Sequence, residues 1–268
     1  MRETQDYIDF SITSWLDKFK SVTLKTVIID IPIDVWIKVS DGDKIHEITE
    51  SLPLELKNQI KNVIKTFNNK AFVKNNWHAP TDAKLFSLGN ILQVDRCEDI
   101  FMFLTMSTIV QRDLDYIEME NIEGLEFCIA LKEWKNIHPA SEFRCIVVGN
   151  VLRGITPRDW PTFYAHFNEE GPQIIKKTRE FFNEHIKTKF PRENYIFDIV
   201  MSFSDGIYLL DFSPLNRNTV LYAFSWSEIQ PLLNKEPEDV APVFRFLEKD
   251  IGLRPKQLLH QLIAAQTN

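Results

Sequence analysis

Residues 197–216, FDIVMSFSDGIYLLDFSPLN, are two runs of bulky apolar residues meeting at Asp205-Gly206. β-branched and aromatic runs joined by an Asp-Gly pair read as a β-hairpin. A hairpin this apolar needs further strands and a second layer to cover it. Two residues break the pattern. Asp198 and Asp211 each interrupt an apolar run, and a bare carboxylate in such surroundings is costly.

A two-residue turn at Asp205-Gly206 fixes a register. Ser204 then faces Ile207, Asp198 faces Ser213, and Asp211 faces Val200. Alternation puts Asp198, Asp211 and Ser213 on one face. Phe197, Ile199, Tyr208, Leu210 and Phe212 take the core face. Directly opposed Cβ atoms lie about 5 Å apart and diagonal ones about 7 Å. That spacing suits a shared divalent cation, and oxygen donors of this kind suit Mg2+. A buried Lys or Arg beside each carboxylate is the other reading, and the hairpin alone does not choose between them.

A second hairpin is read in EFRCIVVGNVLRGIT, with Gly149-Asn150 as its turn. Arg144 then faces Ile155, with Arg153 its diagonal neighbour and Glu142 on the same face. Two cations beside a carboxylate either orient a phosphate or form an ion-pair network. Lys74 ends a short apolar strand before the turn-rich NNWHAPTDA, where a lysine can reach a phosphate. Trp77 offers an apolar plane or a core side chain. Trp134, in Lys132-Glu133-Trp134, suits a hinge aromatic stacked on a base or a buried structural one.

Elsewhere, Ser14–Lys20, Leu54–Phe67, Asp99–Val110 and Gln173–Lys189 read as helices, and a further helix is expected near Lys256–Ala265. Val22–Ile31 reads as a strand stopped by Pro32, Asp41-Gly42 as a turn, and Gly124–Trp134 as strand or hinge. The class is α+β with mostly antiparallel pairing.

A net charge of -7 and a pI near 5.5 speak against general nucleic-acid binding. The three cysteines match no metal or redox spacing and suit a reducing, cytosol-like compartment. The N-terminus has no apolar signal-peptide core, and Ile100–Val110 is too short to span a bilayer. Neither a phosphate-binding G-x-x-x-x-G-K-[ST] loop nor a G-x-G-x-x-G fingerprint occurs, and H-E-x-x-H is absent. These features amount to the parts of a nucleotide site without a P-loop.

KNNWHAPTDA (74–83), LKEWKNIHPASEFRCIV (131–147), GITPRDW (154–160) and FDIVMSFSDGIYLLDFSPL (197–215), in this order, resemble the cell division cycle protein 123 family. The resemblance implies an ATP-grasp fold of two lobes with ATP in the cleft between them. The expected limits are a small lobe at about 64–130 and a large lobe at about 1–63 plus 131–268. ATP and Mg2+ are the implied cofactors.

The resemblance also carries residues. It implies phosphate contact by Lys74 and a loop of Trp77, Ala79, Pro80 and Thr81 over the nucleotide. Lys132 and Trp134 would line the adenine, with Ser141 nearby and Arg144 near the phosphates. Asp198, Asp211 and Ser213 would bind Mg2+. Ser213 stands where the family usually has Asn. The chain is a short form, without the long acidic insertion after Ile37 of animal members and with a compact tail beyond Trp226.

Family members resemble assembly chaperones for translation initiation factor 2 that bind its gamma subunit. The implied protein is a cytoplasmic monomer. The alternative is an ATP-grasp enzyme, a ligase or a nucleotidyl or phosphoryl transferase, including a bacterial relative acting on host targets. Its acceptor-activating base would come from His78, His138 or His166, chosen by residue type alone.

Overall fold

Both hairpins form, and they share one sheet. The structure is a computed structural model describing residues 2–87, 89, 91–120, 127–202, 206–236, 238 and 240–252. It divides into two compact units, 1–136 and 137–268. Among the described residues, no helix is long and apolar enough to cross a membrane.

The first unit is built on a four-stranded antiparallel sheet. Its strands are β1 (Thr26–Asp30), β2 (Ala71–Lys74), β3 (Gln93–Val94) and β4 (Cys128–Glu133), in the order β1-β4-β2-β3. One face carries Ile29, Ala71, Val73, Val94, Ile129 and Leu131, all buried. They pack with Val35 and Trp36 of α3 (Ile33–Asp41), Ile60 and Ile64 of α5 (Leu54–Thr66), and Phe101, Phe103 and Leu104 of α6 (Cys97–Met106). Residues 26–30 therefore belong with β2 and β4. The sequence-based lobe limits had grouped 1–63 with 131–268.

Several helices differ from the sequence reading for local reasons. The turn read at Asp41-Gly42 closes α3, with Gly42 at φ +72° as a left-handed cap. The helix read over Asp99–Val110 is broken at Ser107, and a new helix α7 (Thr108–Glu120) begins there. Asp82 accounts for the break. It accepts from Ser107 Oγ at 2.6 Å and from Thr108 N and Oγ1 at 2.8 and 2.7 Å, which caps α7. Burial opposes the charge of Asp82, but the hydrogen bonds from Ser107 and Thr108 outweigh it and hold the carboxyl below its usual range.

The second unit is built on a five-stranded sheet. Its strands are β5 (Glu142–Val148), β6 (Val151–Pro157), β7 (Tyr195–Ser202), β8 (Gly206–Pro214) and β9 (Val243–Phe244), ordered β8-β7-β5-β6-β9. Every pair is antiparallel except β6 with β9. The α8 helix (Phe167–Phe181) lies where the sequence predicts one and begins earlier. The expected Lys256–Ala265 helix lies outside the described residues. The α+β class with mostly antiparallel sheets is the one expected.

Gly149 and Asn150 both have φ +59°, and Val148 pairs with Val151. That is the two-residue turn read from the sequence, with φ positive at both central positions. A register shift between Ile146 and Val147 then sets Arg144 opposite Thr156, where the sequence register put Ile155.

The β7–β8 pair departs further. Ser202 pairs with Gly206, so Gly206 opens a strand and is not half of a two-residue turn. Asp205 lies outside the described residues. Asp198 stands directly across from Asp211, and Ile196 across from Ser213. The register is therefore displaced from the predicted one by two positions on the Asp198 side, which keeps Asp198, Asp211 and Ser213 on one face. A shift between Asp198 and Ile199 leaves Leu210 as an extra residue. Leu209, opposite Ile199, is fully buried as a result, while Tyr208 and Leu210, expected in the core, are half-buried.

Candidate functional site

In the first unit the segment Lys74-Asn75-Asn76-Trp77 is buried throughout. Its two asparagines explain why the chain turns here. Asn75 Oδ1 accepts from the backbone N–H groups of Trp77 and His78 at 2.8 and 2.6 Å. Such a side-chain bond to the backbone two residues on makes an Asx turn. Asn76 Nδ2 donates to Ser11 Oγ at 3.1 Å, and its Oδ1 accepts from Cys128 N at 2.9 Å. One side chain thereby ties β4 to the start of α2 (Ile12–Phe19).

Lys74 is 1% exposed and Lys132 is 4% exposed. In register, Lys132 stands opposite Phe72 and Lys74 opposite Ala130, so the two lysines are diagonal neighbours on one face of the sheet. Lys74 Nζ donates to the Trp77 carbonyl at 2.9 Å. Lys132 Nζ lies 5.8 Å from the centre of the Trp15 ring. Two buried lysines on one face of a sheet can bring positive charge to a phosphate.

Trp77 is a core side chain. It is 5% exposed, donates Nε1–H to the Tyr7 carbonyl at 2.7 Å, and meets the Tyr7 and Phe127 rings edge-on. Pro80 is buried, Ala79 half-buried and Thr81 exposed, with Thr81 N donating to the Ala79 carbonyl at 2.7 Å. Trp134 follows β4, half-buried, and its N–H donates to the Lys70 carbonyl at 3.2 Å.

In the second unit Ser141 is half-buried in the short turn of helix that precedes β5. Arg144 is 7% exposed and Asp198 is 3% exposed. They face each other across β5 and β7. Arg144 Nε donates to Oδ1 and Nη2 to Oδ2, both at 2.8 Å. Nη1 donates to the Val220 carbonyl at 2.6 Å, and the guanidinium lies 5.0 Å from the Tyr222 ring centre. Tyr222 has φ +54°, a backbone conformation that most residues avoid.

The sequence reading preferred a metal to an arginine as partner for both carboxylates. For Asp198 the structure also supplies the arginine, directly across the sheet, where the fork of a guanidinium fits a carboxylate in two places. Arg158 was not foreseen. Its Nη1 donates to Glu142 Oε2 at 2.8 Å, and its Nε lies 3.4 Å from Asp198 Oδ2. The β6 register shift brings Arg158 level with Glu142, whose carbonyl accepts from Arg158 N at 2.9 Å. Of the two arginines read onto this face from the sequence, Arg144 is in the cluster, and no bond from Arg153 to it is seen among the described residues. Burial opposes the charge of both Arg144 and Arg158, yet the Asp198 carboxylate outweighs it, and both are held protonated more firmly than usual.

Asp211 and Ser213 are half-buried on the edge strand β8, Asp211 beside Asp198. Asp211 Oδ1 accepts from Phe212 N at 3.0 Å. Asp198, Asp211 and Ser213 offer hard oxygen donors on one face of the sheet. This donor set fits Mg2+, which takes one or two carboxylates and leaves its other positions to water and phosphate.

The D123 family model matches residues 38–266. The chain is 29% identical over 234 residues to the "Translation initiation factor eIF2 assembly protein" of Xenopus laevis, covering 83% of this chain and 69% of that protein. It is 25% identical to the protein of the same name from Xenopus tropicalis, covering 95% of this chain and 88% of that one. Among solved structures, Cdc123 from Schizosaccharomyces pombe aligns with a TM-score of 0.79 at 25% identity, over 92% of this chain and 98% of that chain.

Proposed function

The chain belongs to the D123 family, and from that premise we propose that it is an Mg-ATP-binding assembly factor for translation initiation factor 2, acting in the cytoplasm through the gamma subunit. It has the α+β fold of Cdc123, and the ATP-grasp fold expected from the sequence is part of this reading. The observation that carries the nucleotide part is the direct opposition of Asp198 and Asp211, with Ser213 two residues on. Like charges opposed across a strand pair are unfavourable unless a cation offsets them. Arg144 and Arg158 engage Asp198, and Mg2+ held by Asp198, Asp211 and Ser213 together is proposed to add to that balance.

The proposed roles divide by unit. Asp198, Asp211 and Ser213 hold Mg2+, while Arg144 and Arg158 set the Asp198 carboxylate. Lys74 and Lys132 supply positive charge to the phosphates. The loop of Trp77, Ala79, Pro80 and Thr81 shapes the nucleotide's surroundings, with Trp134 toward the base and Ser141 nearby. Bound Mg2+ would supply charge neutralisation for the phosphates.

Calorimetry with Mg-ATP and a pull-down with isolated gamma subunit test the two halves separately. Saturable ATP binding that Asp211→Ala abolishes is the expected result for the first. Capture of gamma subunit is expected for the second, and its absence with and without Mg-ATP would sink the assembly role while leaving nucleotide binding standing.

A further inference from the structure

His78 is held more firmly than its place in a half-exposed loop requires. Asp113 of α7 is 3% exposed, and its two oxygens lie 2.9 and 3.0 Å from His78 Nδ1. Asp113 also accepts from Asn75 Nδ2 at 2.8 Å. The same Asn75 accepts from the His78 backbone N–H at 2.6 Å, and Asn75 N donates to the His78 carbonyl at 2.9 Å. Backbone and ring are thus fixed by one connected set of bonds.

The chemistry of that set fixes the tautomer. An ionised carboxylate only accepts, so the proton of the neutral imidazole sits on Nδ1. Nε2 is left with its lone pair, on a side chain that is 48% exposed. A base whose second nitrogen is oriented by a buried carboxylate is the arrangement that lets imidazole take a proton and keep the resulting charge balanced. The other candidates lack it. His138 Nδ1 accepts from Ala140 N at 3.2 Å, closing its own turn. His166 lies with its ring 4.6 Å from that of Phe167, and no carboxylate among the described residues meets it.

Lys74 opens the same turn, its ammonium bonded to the Trp77 carbonyl. His78 therefore stands in the segment that carries one of the two buried lysines.

We propose that His78 and Asp113 form a proton-accepting dyad serving a hydroxyl- or amine-bearing molecule. Nε2 takes the proton of the O–H or N–H, leaving that oxygen or nitrogen the stronger nucleophile. Asp113 balances the imidazolium that forms, and the proton returns from Nε2 to solvent. Asp113 is the positioning residue. The dyad goes beyond the assembly role and does not depend on nucleotide binding.

The test uses the folded full chain and two probes. Diethyl pyrocarbonate acylates a free imidazole nitrogen. His78 should react several-fold faster than His46, which is also exposed, and Asp113→Asn should bring it down to the His46 rate. Nitrogen-15 spectra should show His78 with its proton on Nδ1. Hydrolysis of p-nitrophenyl acetate, with water as the O–H donor, should fall by roughly 10²-fold in His78→Gln, the low end of base catalysis. Labelling of wild-type His78 no faster than His46, a proton on Nε2, or equal hydrolysis in both proteins overturns the proposal. The first two need no variant to fold, and loss of Mg-ATP binding would bear on the nucleotide reading alone.

Discussion

Arg144 and Asp198 meet across directly paired positions of β5 and β7, joined by two hydrogen bonds of 2.8 Å. The pair clamps the carboxylate on the Asp211 side of the sheet. Removing the guanidinium strands a buried charge, which costs about 3–5 kcal/mol. Arg144→Met should lose stability of that order in urea unfolding at neutral pH. Replacing both residues, as Arg144→Met with Asp198→Leu, should recover much of it, because no bare charge is left. A single variant that loses less than about 1 kcal/mol would mean that Arg158 alone holds Asp198.

Alternation along β7 and β8 is set by apolar residues, so the shared face of Asp198, Asp211 and Ser213 was readable from sequence. A displacement of two residues preserves that face, and so the wrong register still gave the right grouping. The bulge at Leu210 was not readable, because it swaps one Leu for another on the core face. Nor was Arg158, whose approach to Glu142 and Asp198 depends on the shift in β6. The Asn75 and Asn76 bonds reach α7, α2 and β4, partners far away in sequence that no local pattern announces.

Asn76 is a sharp test of that long-range wiring. It is fully buried, and its side chain serves Ser11 Oγ and the Cys128 N–H. Asn76→Ala would leave an amide of β4 without its acceptor, which costs about 1–3 kcal/mol. Chemical denaturation should show a loss in that range. Faster hydrogen exchange at the Cys128 amide should accompany it, and unchanged exchange there would rule out this account.

Ser213 is a short donor beside Asp211. An Asn at this position puts a carbonyl oxygen farther from the strand, nearer to where Asp198 and Asp211 present theirs. Ser213→Asn should tighten Mg-ATP binding by about fivefold, on the order of 1 kcal/mol, with little change without magnesium. Calorimetry with and without the metal measures both. Equal affinities in the two proteins would remove position 213 from the metal site.

The stability of the second unit should also fall with acid through Glu228. Its Oε1 lies 2.7 Å from Arg245 Nη2, and its Oε2 accepts from Ser225 N and Oγ at 2.9 and 2.8 Å. The bond from Arg245 is the main cause that brings the Glu228 carboxyl down to about 2, against a partial opposing effect of burial. A lowered folded value means that the unfolded chain takes up the proton first as pH falls. The contribution of Glu228 is therefore fully present above its ordinary range, near 4.3, and is lost as pH falls through about 2. Both side chains are partly exposed, so solvent screening limits the pair to under about 1 kcal/mol. The difference in unfolding free energy between wild type and Glu228→Gln should be positive and flat from pH 6 to 8. It should then shrink toward zero between pH 4 and pH 2, and added salt should reduce it at neutral pH. A difference that grows on acidification would reverse the sign and exclude Glu228 as the group responsible.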